Sequence, residues 1–165
     1  MEKRNLTLLT DLYELTMMNG YYLKGKTDEI AVFDVFFRRK ELITYSIAAG
    51  LEQAVDYILG LSFGEEEIAY LRGLNLFDEG FLGYLKNLKF TGDVYSVPEG
   101  TMVFPGEPIL TVKAPVIEAQ LVETAILNII NHQTLIATKS AKVCNAAKGD
   151  NVMEFGLRRA QGPDA

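Results

Sequence analysis

The feature that most limits what this chain can fold into is the stretch from Pro115 to about Ala147, which keeps helical spacing throughout. Proline suits the first turn of a helix, where its missing N–H is not needed. Val122, Ala125, Ile126, Ile129 and Ile130 then recur on one side, and such a stripe has to be buried against other elements. A run of about 33 residues is ~50 Å long at 1.5 Å per residue. That exceeds the usual helix, so a bend or break is expected near Asn131-His132. Lys148-Gly149 supplies the C-terminal stop.

Upstream, Asp11-Leu-Tyr-Glu14 reads as a capping box opening a helix through about Tyr22, which Gly25 breaks. Residues 30–37 (IAVFDVFF) are β-branched and aromatic and read as a strand. Asp34, Phe36 and Arg38 share one of its faces. Residues 47–61 carry Leu51, Ala54, Val55, Ile58 and Leu59 at helical spacing. Ser62-Phe-Gly-Glu65 is a second capping box, with a helix to about Leu74, and another helix is expected from Asp78 to about Leu88. The texture changes near Phe90. Extended pieces at 93–97, 102–104 and 108–113 are punctuated by Gly92, Pro98, Gly100, Pro105 and Gly106, which predicts a compact antiparallel β module closed by Ala114-Pro115.

Beyond the long helix, residues 151–155 (NVMEF) read as a short buried strand running into the turn Gly156-Leu-Arg-Arg. A lone strand buries nothing without neighbours, and Gly162-Pro163-Asp164-Ala165 is a turn followed by nothing. The sequence therefore reads as cut. The expected class is α/β. Residues 1–114 form an α+β domain with helices on a mixed or antiparallel sheet, and 115–165 form a connecting helix and first strand of a second domain.

At 165 residues the chain can bury a real core. A net charge of −6 argues against nucleic acid as the main partner. No stretch approaches the ~20 apolar residues that span a bilayer, and the N-terminal segment lacks a secretory h-region. The single cysteine, Cys144, excludes an internal disulfide and most structural zinc sites. Together these favour the cytoplasm. Cys144 is expected to be a small core residue and His132, the only histidine, a packing or capping residue.

Two basic clusters stand out, Arg38-Arg39-Lys40 and Arg158-Arg159. Paired arginines after a strand and a glycine put guanidinium forks at the strand's carboxyl end, where α/β folds bind ligands, and arginine suits bidentate phosphate recognition. The plainer alternative is a solvated loop. Arg38 and Arg39 lie on opposite faces of a strand end, so at most one points at a shared ligand, and Asp34 is a ready partner for Arg38.

Residues 154–165, EFGLRRAQGPDA, are similar to the signature of the nicotinate phosphoribosyltransferase family. Thr10-Asp-Leu-Tyr-Glu-Leu-Thr-Met17, Phe36-Phe-Arg-Arg-Lys40, Pro98-Glu-Gly100, Phe104-Pro-Gly106, Glu123-Thr124 and Ala137-Thr-Lys-Ser-Ala141 resemble that family in the same order. The resemblance covers essentially the whole chain. Members are longer, so it implies that 115–165 begin a type II phosphoribosyltransferase α/β barrel whose remainder lies beyond Ala165, and that the 165 residues alone are inactive.

The resemblance also implies roles. Tyr13 stacks on the pyridine ring from a neighbouring subunit, and Phe155 covers the other ring face. Arg158 contacts the phosphate or diphosphate of phosphoribosyl pyrophosphate, supported by Arg159, and the Arg38-Arg39 segment reaches a neighbour's phosphate site. Thr138 faces the ribose phosphate. From the residues alone, Tyr13 is instead a core tyrosine on an amphipathic helix, and Thr138-Lys139-Ser140 an exposed polar turn. The implied reaction forms nicotinate mononucleotide and pyrophosphate in NAD synthesis, with Mg²⁺ and with ATP as co-substrate, in a homodimer with shared sites. No metal ligand is assigned to this chain. Three alternatives stand beside this reading. One is a related transferase acting on nicotinamide or quinolinate. Another is a carrier-type binding module, from the hairpin spacing of Val97 to Leu110, although Lys113 is followed by Ala-Pro and lacks the tight-turn setting of a modifiable lysine. The third is a non-catalytic fragment.

Overall fold

The computed structural model describes residues 5–38 and 44–160. Arg39, Lys40 and the turn at 162–165 lie outside the described residues. The element order is α1 (Leu12–Leu23), β1 (Ile30–Val35), β2 (Ser46–Ile47), α2 (Leu51–Leu59), α3 (Glu65–Gly73) and α4 (Glu79–Leu85), then β3 (Asp93–Ser96), β4 (Met102–Val103), β5 (Leu110–Pro115) and α5 (Val116–Ala146). A short 3-10 turn, Leu157–Arg159, follows.

β5 is the centre of a three-stranded antiparallel sheet of order β1-β5-β3. Ile30 pairs with Pro115 and Val35 with Leu110 on one side, and Asp93 with Lys113 and Ser96 with Leu110 on the other. Side chains alternate along a strand, so Leu110, Val112 and Ala114 are buried on one face while Lys113 is exposed on the other. The β module of the sequence reading is therefore divided. Its first and last pieces join β1 in this sheet, whereas β4 pairs with β2 in a separate two-stranded antiparallel sheet. Lys113 sits mid-strand, paired on both sides, in agreement with its lacking the tight-turn setting of a carrier lysine.

α5 is one uninterrupted helix of 31 residues, with no break at Asn131-His132. It has neither glycine nor proline to interrupt it. Its first two turns, Ile117 through Val122, are buried on every side, held between the sheet and the layer of α1 and α2. Ala125, Ile126, Ile129 and Ile130 then continue as a stripe, as the periodicity predicts. Thr138 is the last buried residue, so the final turns project past the packed part. Cys144 sits there, exposed, and is not a core residue. Lys148 and Gly149, both with positive φ, end the helix.

Local signals in α1 to α4 are met with shifts. Asp11 is the N-cap of α1 but makes no side-chain cap bond; its carboxylate accepts instead from the Thr124 hydroxyl at 3.2 Å. In α3 the cap is Gly64 rather than Ser62: the Glu67 carboxylate accepts from the Gly64 N–H at 2.9 Å, while the Ser62 N–H donates to Thr7 Oγ1 at 2.9 Å. Ile47 belongs to β2, and α2 buries Ala54, Tyr57 and Ile58, leaving Leu59 exposed on the opposite side. Gly50 precedes it at φ 106°, where an added Cβ would sit 3.3 Å from the Ile129 side chain of α5. α4 starts as expected, with Asp78 Oδ1 accepting from the Gly80 N–H at 2.8 Å. Tyr22, Phe81 and Tyr84 form a tilted aromatic cluster joining α1 to α4.

The strand expected at 151–155 is not formed. Residues 151–156 are irregular, and Val152, Met153, Phe155 and Leu157 are exposed. A strand needs a partner for its backbone groups, and among the described residues none runs alongside it. No helix among the described residues is long and apolar enough to cross a membrane.

Candidate functional site

A cleft of about 560 Å³ opens where α1 crosses α5 beside the end of β1. Asp11 and Tyr13 line it from α1, residues 35–38 from the end of β1, and Glu123, Thr124 and Asn128 from α5. β1 stops pairing at Val35, so the backbone leaves strict alternation. Phe36, Phe37 and Arg38 then all reach the same cleft, which strand alternation forbids.

Arg38 does not pair with Asp34. The two charges lie at different levels, since Asp34 faces outward from the sheet and accepts the Thr111 hydroxyl at 2.6 Å from the residue directly opposite in β5. Among the described residues Arg38 is the basic group of a cleft whose other charges are the carboxylates of Asp11 and Glu123.

Tyr13 is half exposed (52%) on the cleft wall, so the core-tyrosine reading is overturned. Helical periodicity alone could not show this, because α1 buries Glu14, Leu15 and Met18 instead. The Tyr13 hydroxyl donates to Glu14 Oε1 at 3.3 Å. The Glu123 carboxylate holds the Tyr13 phenol above its ordinary pKa, with desolvation and Glu14 adding to the effect. Glu123 is itself raised, mainly by burial and then by the neighbouring Glu14 and Asp11 charges.

Glu14 carries no solvent exposure and collects hydroxyls. Thr124 Oγ1 donates to it at 2.8 Å, and Thr10 Oγ1 donates as well. By sequence alone Glu14 fits a helix cap, and Glu123 carries no sign of a role. The available signal was the pairing of Glu14 with threonines on both sides in sequence and space, which only the α1–α5 crossing brings together.

Thr138 is buried, and its hydroxyl is engaged twice by backbone. It accepts from the Ile47 N–H at 2.9 Å and donates to the Thr134 carbonyl at 2.6 Å. It pins β2 to α5, so the exposed-turn reading fails for Thr138 and holds for Lys139 and Ser140. Glu99 has a comparable structural task. Its carboxylate accepts from the Gly50 and Leu51 N–H groups, at 2.9 and 2.5 Å, at the start of α2. Gly106, at φ 85°, donates its N–H to the Phe37 carbonyl at 3.1 Å and so sets the cleft's rim.

Phe155, Arg158 and Arg159 lie outside this cleft. Arg158 Nη1 donates to the Phe155 carbonyl at 3.3 Å within their own exposed turn, which leaves most of its fork available. His132 is half-buried in mid-helix and lines no part of the cleft. Among the described residues, no cluster of three or more His, Cys, Asp or Glu side chains could hold a metal ion.

The sequence model of the nicotinate phosphoribosyltransferase N-terminal domain matches residues 8–131, which hold the whole cleft apart from its α5 end. A nicotinate phosphoribosyltransferase of Mycobacterium tuberculosis is 47% identical over 159 residues, covering 96% of this chain and 34% of the relative. That of Bacillus subtilis is 44% identical over 162 residues, covering 98% and 33%. The crystal structure of human nicotinic acid phosphoribosyltransferase superposes with a TM-score of 0.85 at 35% identity, covering 94% of this chain and 32% of that one. The chain thus spans about a third of the length of these relatives. With the domain match, the identities and the superposition agreeing over nearly every residue, the chain belongs to the nicotinate phosphoribosyltransferase family, within which it corresponds to the N-terminal domain and the segment that follows.

Proposed function

We propose that this chain serves as the N-terminal part of an enzyme joining nicotinate to phosphoribosyl pyrophosphate, yielding nicotinate mononucleotide and pyrophosphate for NAD synthesis in the cytoplasm. The observation that carries the reading is the solvent-facing Tyr13 on the wall of a cleft that also holds Arg38. An aromatic face is what a flat pyridine ring needs, and a guanidinium is what a phosphate needs.

In the reaction the ring nitrogen attacks the anomeric carbon while the bond from that carbon to the pyrophosphate oxygen breaks. Positive charge develops on the sugar and negative charge on the leaving group. The protein's task is alignment of the ring and stabilisation of the leaving charge rather than proton transfer. Tyr13 supplies one stacking face and Phe155 the other. Arg158, backed by Arg159, takes the phosphates. Mg²⁺ supplies charge neutralisation on the pyrophosphate when bound, and ATP hydrolysis makes an unfavourable equilibrium favourable.

Tyr13 and Arg38 line one cleft, while Phe155 and Arg158 lie apart from it in an exposed turn. A homodimer in which one copy's cleft meets the other copy's turn unites the two halves. In that reading α5 is shared: it completes the core of residues 1–114 and leads toward a barrel. The exposed apolar residues of 152–157 are strand residues awaiting that barrel's sheet.

The test is product formation by a subunit carrying these residues. With nicotinate, phosphoribosyl pyrophosphate, Mg²⁺ and ATP, chromatography should show nicotinate mononucleotide. Turnover of nicotinamide or quinolinate in preference to nicotinate would overturn the substrate assignment. For the shared site, Tyr13→Ala and Arg158→Ala subunits, each inactive alone, should regain part of the activity when mixed. No recovery despite demonstrated subunit exchange would overturn the dimeric site.

A further inference from the structure

Glu14 is a fully buried carboxylate with no cationic partner among the described residues. The ion pairs among the described residues are Lys26–Glu29, Arg72–Glu79 and Lys86–Glu65, all elsewhere. Burying a charge without a counter-ion is costly unless hydrogen bonds replace its water. Here three hydroxyls do so: Thr124 from α5, Thr10 from the segment before α1, and Tyr13 from α1 itself. Among the described residues the remaining neighbours add no cation. Asp11 and Glu123 flank the Tyr13 phenol as carboxylates. Tyr57 of α2, whose buried hydroxyl has no hydrogen-bond partner among the described residues, is pushed above the usual phenol range by burial and then by Glu14.

A carboxylate accepts several hydrogen bonds and donates none. The Thr10 and Tyr13 hydroxyls therefore act as donors toward Glu14, while the Thr124 hydroxyl lies between Glu14 Oε1 at 2.8 Å and Asp11 Oδ2 at 3.2 Å. For Thr10 this fixes only a hydroxyl rotor. For Tyr13 it fixes the far end of a rigid ring whose near end is already set by α1. We propose that Glu14 is the positioning residue for Tyr13: its buried carboxylate holds the half-exposed ring upright as a wall of the cleft. The ring would otherwise be free to sample other rotamers, because its exposed face has no packing to choose one. The consequence for nicotinate rests on the reading of Tyr13 as a stacking platform; the orientation of the ring does not.

The experiment is NMR of the chain with ring-labelled tyrosine, Tyr13 being assigned by its loss in Tyr13→Phe. In Glu14→Ala the Tyr13 ring resonances should move to averaged values. Met18→Ala, which removes an equally buried side chain of α1, should leave them in place. Equal effects from the two variants, or unchanged Tyr13 resonances in Glu14→Ala, would overturn the proposal. Should Glu14→Ala fail to fold, Glu14→Gln decides. It keeps an acceptor but removes the charge, so the ring should stay ordered while the Tyr13 phenol titrates at lower pH than in the parent. An unchanged titration there overturns the contact. In an active subunit, Glu14→Ala should raise the KM for nicotinate roughly 10-fold with that for phosphoribosyl pyrophosphate unchanged. An ordered-to-averaged change in Tyr13 without any effect on nicotinate would sustain the positioning and overturn the platform reading.

Discussion

The hydroxyl of Thr124 on α5 donates across 2.8 Å to Glu14 Oε1 on α1, joining the two helices that form opposite sides of the cleft. Its loss leaves a buried carboxylate short of a donor, which costs more than the bond's net contribution. Thr124→Val keeps the shape and removes the donor. It should destabilise the fold by roughly 1–3 kcal/mol, read as a lower urea midpoint with an unchanged slope.

Glu123 gives a pH dependence whose sign differs from that of a salt-bridged carboxylate. Its folded pKa is raised, chiefly by burial, so the folded state holds the proton more tightly than the unfolded chain. The associated stability is fully present below the unfolded value of about 4.3. It is lost as pH rises through the folded value. Glu123→Gln should flatten this fall in a series of urea titrations from acid to neutral pH. A parent whose stability, compared with the variant, rises over that interval would refute the assignment.

Gly92 is required by a close approach rather than by its own backbone angle. A Cβ built there meets the Ala114 Cβ and lies 2.5 Å from the Lys113 carbonyl oxygen of β5. Backbone cannot give way cheaply, so Gly92→Ala should push β3 off β5. About 1–3 kcal/mol of stability should be lost, as for other overpacked sites. Calorimetry should show the lower melting temperature.

The division of labour at the exposed turn is measurable in an active subunit. Arg158→Ala removes charge-assisted hydrogen bonds of roughly 1.5–3 kcal/mol each. Phosphoribosyl pyrophosphate binding should therefore weaken ~10- to 100-fold with nicotinate binding little changed. Phe155→Ala should do the reverse. Titration calorimetry of each variant with each ligand checks both. Parent-like phosphoribosyl pyrophosphate affinity in Arg158→Ala would leave the arginine a solvated loop residue.

What the sequence determined by itself is whatever a short window of residues decides. The stripe Val122, Ala125, Ile126, Ile129 and Ile130 marks the buried face of α5, because 3.6-residue periodicity is local. Asp78 starts α4 and Lys148-Gly149 ends α5 for the same reason. The order of motifs likewise marked the family. The tertiary structure alone decided which strands pair, sending β4 to β2 and not to its sequence neighbours, since pairing depends on partners far along the chain. It alone exposed Tyr13 and buried Thr138. Both sit on helices whose faces are ranked by what packs against them: the crossing of α1 with α5 decides this at Tyr13, and the docking of β2 on α5 decides it at Thr138. Glu14 shows the limit most clearly. In sequence it fits a helix cap, but its three donors come from Thr10, Tyr13 and the distant Thr124. Only folding brings a residue 110 positions away within hydrogen-bond reach of it.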